Sequence, residues 1–187
     1  MRSLAHQRGF TLIELMITVA VLVVLLTVAI PNFRTLIARN ELVTLTNQWV
    51  GAINAARAES VKLNQPVVVC GEDDVPTSGV GTTCSAALAG QVRFMPRNGG
   101  NEAILHPALA DSVTPPLQVI SSTTVRFRGN GIGYRGDSMG APYNTASGDP
   151  AVVVLCSTAL AAENERHIEL VSGTTVQVAT ATNADCQ

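Results

Sequence analysis

The stretch that decides the reading is RGFTLIELMITVAVLVVLLTVAIPNF, residues 8–33. Of the 21 residues from 10 to 30, 17 are apolar, and none of the 19 residues between Glu14 and Arg34 carries a formal charge. As a helix, such a run rises about 28 Å, close to the thickness of a bilayer's hydrocarbon core. A secretory signal has a shorter apolar region, about 7–15 residues, ending at a small-residue cleavage site. Here the run is longer, and no A-x-A element precedes Pro31. Arg2 and Arg8 lie ahead of it, so the positive-inside tendency keeps the N-terminus cytoplasmic and sends the rest outward. Glu14 is the anomaly. A carboxylate in apolar surroundings costs several kcal/mol unless it finds a partner.

Working outward, residues 31–187 contain 67 apolar residues out of 157, an ordinary fraction for a globular domain. The 187-residue chain carries 12 basic and 14 acidic residues, net −2. Without Arg2, Arg8 and Glu14 the balance is 10 basic against 13 acidic, net −3. That balance argues against a generally basic nucleic-acid binder. Charged residues are 14% of the chain with no long like-charge run, which argues against disorder. The length suits one modest domain carried on an apolar N-terminal segment.

The string Gly9-Phe10-Thr11-Leu12-Ile13-Glu14-Leu15, after a short basic leader and before a long apolar run, resembles the type IV pilin signal. The resemblance covers the first thirty or so residues. It implies that a prepilin peptidase cuts between Gly9 and Phe10 and methylates the new amine of Phe10. It also implies that Glu14 pairs with the N-terminal amine of a neighbouring subunit. Opposite buried charges are tolerable together, whereas removing one strands the other. Pro31, where a proline should disturb a helix, falls where pilins of this class bend.

After Pro31 the helical pattern resumes. Leu42, Leu45, Trp49, Ala52 and Ala56 recur at three- and four-residue spacing, with Val50 and Ile53 widening the stripe. Such a stripe packs against a sheet. Asn64-Gln65-Pro66 ends the helix, since Pro66 disfavours helical geometry in the preceding residue. The helix therefore spans residues 10–63. Strand-like segments follow at residues 67–70, 91–95, 117–120, 124–127, 151–155, 167–171 and 175–179. Residues 129–150, GNGIGYRGDSMGAPYNTASGDP, read as a surface loop with turns. The fold class expected is α+β: one long helix, half membrane anchor and half amphipathic scaffold, packed on a mainly antiparallel sheet. The boundaries are a leader at 1–9, a transmembrane and assembly helix at 10–30, its amphipathic half at 31–64 and a β-rich body at 65–187.

Cys70, Cys84, Cys156 and Cys186 all lie beyond the apolar segment. Four cysteines allow three pairings, and local closure favours Cys70–Cys84 and Cys156–Cys186. Each such loop would contribute roughly 3–4 kcal/mol by chain-entropy reasoning. No C-x-x-C pair occurs, and His6, His106 and His167 show no ligand spacing, so an oxidising compartment explains the cysteines better than a metal.

The body carries a second resemblance, to the GspH/FimT family of minor pilins and minor pseudopilins. Ala55-Ala56-Arg57-Ala58-Glu59-Ser60, then Asn64-Gln65-Pro66-Val67 and Cys70, is similar to that family's helix end and first strand. Val125-Arg126-Phe127 with Gly129 and Gly131, Val153-Val154-Leu155-Cys156, and Arg166-His167-Ile168-Glu169-Leu170 with Gly173 resemble its later strands. FimT-like members carry a basic G-R-x-R motif implicated in DNA capture. The matching place here reads Ser172-Gly173-Thr174-Thr175, without either arginine, so the phosphate-neutralising charge is lacking. Arg126, Arg128 and Arg135 read as solvated edge and loop arginines, with Tyr134 as the aromatic residue near them. A FimU-type minor pilin fits better.

Other motifs carry less. Arg135-Gly136-Asp137 is a chance-length adhesion tripeptide, and Glu72-Asp73-Asp74 lacks the spaced oxygen ligands of a Ca²⁺ loop. No G-x-S-x-G, H-E-x-x-H or P-loop string occurs. The sequence thus predicts no catalytic residue, no metal and no cofactor. Its expected partners are other minor and major pilins, a prepilin peptidase and the inner membrane, not nucleic acid. The body is expected in the periplasm before assembly and in the pilus fibre, at its tip, afterwards. The alternatives are a GspH-type minor pseudopilin of type II secretion and a FimT-type DNA-binding pilin of natural transformation.

Overall fold

The longest periodic segment forms one helix, α1 (Leu12–Leu63), in a computed structural model that describes residues 10–73, 83–97, 101–136, 140–184 and 186. The expected helix began at residue 10. It starts two residues later because Thr11, whose side chain caps the first turn, stands outside it. At the other end Asn64 takes a left-handed φ of 49°, and Gln65 N–H donates to Ser60 O at 3.2 Å. That is a helix stop of the Schellman type, with asparagine in the usual glycine position. Arg97 Nη2 adds a bond to Asn64 O, a cation at the negative end of the helix.

The chain divides into two compact units between Ile37 and Ala38. In the first, the described residues 10–37 are exposed throughout. The second contains the core. Its helical residues Ala38, Leu42, Leu45, Thr46, Trp49, Ala52, Ile53, Ala56 and Ser60 form a buried stripe, on the spacing that the sequence shows.

Among the described residues nine strands follow: β1 (Val67–Val69), β2 (Val92–Phe94), β3 (Ala103–His106), β4 (Leu117–Ser122), β5 (Val125–Phe127), β6 (Gly133–Arg135), β7 (Val153–Ser157), β8 (Glu165–Val171) and β9 (Thr175–Ala181). They make two antiparallel sheets, in the orders β3-β2-β1-β5-β6 and β4-β7-β8-β9. The α+β architecture is as the sequence predicts. In the first sheet Phe94, Val67 and Phe127 form one cross-strand row and Val92, Val69 and Val125 another. Together with Val153, Leu155, Ile168 and Leu170 of the second sheet they pack into a single core with the α1 stripe. β1 shows no alternation because both of its faces are covered: Val68, on the far face, packs with Cys70, Cys84 and Leu88.

Two strands depart from the sequence reading. β3 is short, with two exposed apolar residues, Ile104 and Leu105. β6 falls inside the segment read as a surface loop. Gly133 is the reason. A Cβ there would sit 2.8 Å from Leu170 Cδ2 and 3.1 Å from Phe127 Cε1, so this glycine answers a packing demand rather than a turn. The same segment contains Tyr143, which is fully buried and donates its hydroxyl to Pro150 O at 2.8 Å.

Burial pushes the Tyr143 phenol up to about 12, while Thr123 opposes the shift and Asp149 adds to it. Because the folded value exceeds the ordinary 10, the stabilisation is complete below pH 10 and disappears as pH rises towards 12. In alkaline unfolding of the detergent-solubilised chain, Tyr143 is expected to account for roughly 2–3 kcal/mol of lost stability. Tyr143→Phe should flatten that slope; an unchanged slope would place the ionisation elsewhere.

Candidate functional site

The N-terminal site is built on the first turn of α1. Thr11 Oγ1 accepts from Glu14 N–H at 3.3 Å, while Glu14 Oε2 accepts from Thr11 N–H at 3.2 Å and from Thr11 Oγ1 at 3.1 Å. This reciprocal arrangement is a capping box, for which the Thr-x-x-Glu spacing is the sequence signal, and it adds Thr11 to the residues expected at this site. Its physical effect is to hold the carboxylate on Thr11 at the helix N-terminus, where negative charge is favoured. Phe10 is 84% exposed. Gly9 lies outside the described residues.

Behind this turn α1 presents an apolar surface long enough to cross a membrane, with a mean hydropathy of 2.8 over its most apolar window. Its polar side chains bond to the helix itself: Thr18 Oγ1 to Leu15 O at 2.8 Å, Thr27 Oγ1 to Val24 O at 2.7 Å and Asn32 Nδ2 to Val28 O at 2.9 Å. Each thus places one polar hydrogen on a backbone carbonyl of its own helix. Pro31 stands within the helix and supplies no N–H to the preceding turn.

In the body the disulfides join Cys70 to Cys84 and Cys156 to Cys186. The second ties the C-terminal tail back to β7. Asn164 and Asn183 reinforce it, exchanging two bonds of 2.9 Å, and Asn183 Nδ2 reaches Glu165 Oε1 at 3.4 Å. Glu165 is buried beneath this tail and lies 3.1 Å from His167 Nε2.

The arginines noted in the sequence do not form an open basic patch. Arg126, read above as solvated, is buried at 1% exposure, because β5 lies between β1 and β6 rather than at an edge. Burial, and secondarily Arg128, lowers its pKa. Arg128 lies over the Tyr134 ring at 4.4 Å, and Arg135 Nη1 is 3.6 Å from Asp149 Oδ1. The Tyr134 ring, only 8% exposed, already has a cation on it. Ser172 and Gly173 form the β8–β9 turn, both at positive φ, and Arg57 Nη1 donates to Thr174 O at 2.6 Å.

Of the acidic trio, Asp73 Oδ1 accepts from Thr124 N–H at 2.8 Å and from its hydroxyl at 2.5 Å, while Asp74 lies outside the described residues, as does Asp137 of the adhesion-like tripeptide. Asp73 thus anchors the chain after β1 to the β4–β5 turn. Among the described residues, no group of three or more His, Cys, Asp or Glu side chains is placed to hold a metal ion.

Compared with known families, residues 4–30 match the prokaryotic N-terminal methylation motif. Residues 45–175 match the family of the type II transport protein GspH. The chain belongs to the GspH family. No curated protein and no solved structure matches it. Motif and family together assign a minor pilin or pseudopilin role, a membrane anchor and, in general terms, pilin partners and prepilin-peptidase processing. Proteins of this GspH class are structural rather than enzymatic.

Proposed function

We propose that this GspH-family chain is a minor pilin of a type IV pilus that helps to initiate or cap the fibre. The observation that carries the reading is the union in one chain of the methylation motif at residues 4–30 and the GspH body at residues 45–175. Cleavage between Gly9 and Phe10 and methylation of Phe10 prepare the helix for assembly. Glu14 then registers the subunit by pairing with a neighbour's N-terminal amine. Residues 10–30 serve first as inner-membrane anchor and then as fibre core, with Pro31 loosening the helix between them and the amphipathic half. The disulfide-closed body stands in the periplasm before assembly and at the fibre tip afterwards. No catalytic step is involved.

The pilus reading is supported by the resemblance of the body to the GspH/FimT family, among whose members a FimU-type minor pilin fits better than a FimT-type one because both arginines are missing beside Gly173. The match to the type II transport protein GspH favours a second reading, a minor pseudopilin of type II secretion. Deleting the gene and assaying surface pili, secreted enzymes and DNA uptake in parallel separates the two. Loss of pili with secretion intact supports the first; lost secretion with pili intact overturns it in favour of the second. Loss of DNA uptake with intact pili would revive the nucleic-acid role against which the missing arginines argue.

Gly9→Val should block processing. On a gel the variant is expected to accumulate at precursor length, and a mature-length product would move the cut elsewhere.

A further inference from the structure

A sheet edge exposes unpaired N–H and C=O groups, and free-standing proteins guard such edges with bulges, prolines, charges, short strands or covering loops. Among the described residues the two sheets have four edge strands, and three of them are guarded in one of these ways. β3 has four residues, a register irregularity against β2 at Val92/Arg93, and Pro107 directly after it. β4 follows Pro115 and Pro116 and carries a register irregularity between Val119 and Ser121. β6 has three residues, and its Gly133 N–H and C=O are already bonded to Gly173 O and Tyr143 N–H, both at 2.8 Å.

β9 has none of these devices. Its sequence, TVQVATA, contains no charge and no proline, and its seven residues pair with β8 without a shift in register. At about 3.3 Å per residue the strand offers roughly 23 Å of ladder. Five of its seven residues are exposed, including Val178 at 46%. Among the described residues, no hydrogen bond to Thr175–Ala181 comes from beyond β8. The described tail residue Cys186 lies away from this edge. Cys186 is bonded to Cys156 of β7, which lies on the opposite side of β8 from β9.

We propose that the free edge of β9 is a strand-addition surface that takes one extended, uncharged segment of a neighbouring pilin-family subunit. Main-chain bonds would supply the attachment, and the alternating side chains would supply selectivity. A neutral edge suits a neutral strand, because an unpaired charge placed against it would lose hydration without compensation. The inference rests on the assembly-subunit reading and adds to it the place and the chemistry of one contact.

The test uses the full chain in cells, with a photoreactive benzoylphenylalanine at Gln177 and, as a control, at Ile104 on the β3 edge. Fibres are sheared and purified, and the adducts are mapped. The expected result is an adduct from position 177, and not from 104, to one extended segment of an adjacent, different subunit. Gln177→Lys combined with Ala179→Lys, both at exposed positions, should lower incorporation by about tenfold while leaving the melting temperature of the chain unchanged. Normal incorporation of this double variant, no adduct at 177, or an adduct joining two copies of the chain would overturn the proposal and leave the assembly reading standing. Absence of the wild-type chain from every fibre would overturn both.

Discussion

Glu14→Ala is expected to leave cleavage between Gly9 and Phe10 intact and to lower incorporation into fibres roughly a hundredfold or more. On the pairing proposed above, assembly would withdraw both the carboxylate and the neighbour's amine from water, and removing one partner of a buried pair costs about 3–5 kcal/mol. In the single subunit Glu14 has a different duty, accepting the N–H and hydroxyl of Thr11. Losing that capping box weakens the first helical turn by about 1 kcal/mol, far too little to abolish assembly. Glu14→Gln separates the two roles, because glutamine retains the acceptor for Thr11 but not the charge. The pairing proposal requires that both variants fail in quantitative immunoblots of sheared fibres. If the glutamine variant incorporates normally, the contribution of Glu14 is the cap and not the ion pair.

Trp49→Ala is the substitution expected to damage the body most. Trp49 is 1% exposed and sits in the middle of the α1 stripe, flanked by Leu45, Ala52 and Ile53 in the same core. Truncating a buried ring of this size costs about 3–5 kcal/mol through lost burial and the cavity left behind, a large part of the stability of one modest domain. Since Trp49 is the only tryptophan, urea unfolding of the variant is followed by far-ultraviolet circular dichroism rather than fluorescence. Val43→Ala, on the same helix but 42% exposed, serves as the control and should change stability by less than about 0.5 kcal/mol. A loss below about 1 kcal/mol at Trp49 would mean that the stripe does not organise the core.

The two substitutions lie on features of different legibility. The buried stripe from Leu42 to Ala56 could be read directly, because helical periodicity depends only on local spacing. The Thr11–Glu14 cap was equally local. Arg126 was not legible: its formal charge argues for solvent, and only its place between β1 and β6 buries it. β6 was hidden for a related reason. Glycine in GNGIGYRG signals a turn by composition, yet Gly133 is there because Leu170, 37 positions further along the chain, leaves no room for a Cβ.

What the sequence by itself determined is the set of local facts: a membrane-length apolar run behind a basic leader, a carboxylate at the fifth residue after the expected cut, an amphipathic helix and a succession of strands. Each depends on residues within a few positions of one another. Only the tertiary structure decided which cysteines meet, which strands lie at the edges, and that β9 alone among the described edge strands stands without a guard. Those properties depend on strand order and on contacts between distant residues, such as Cys186 with Cys156 and Gly133 with Leu170. Hydrophobic spacing alone does not record them.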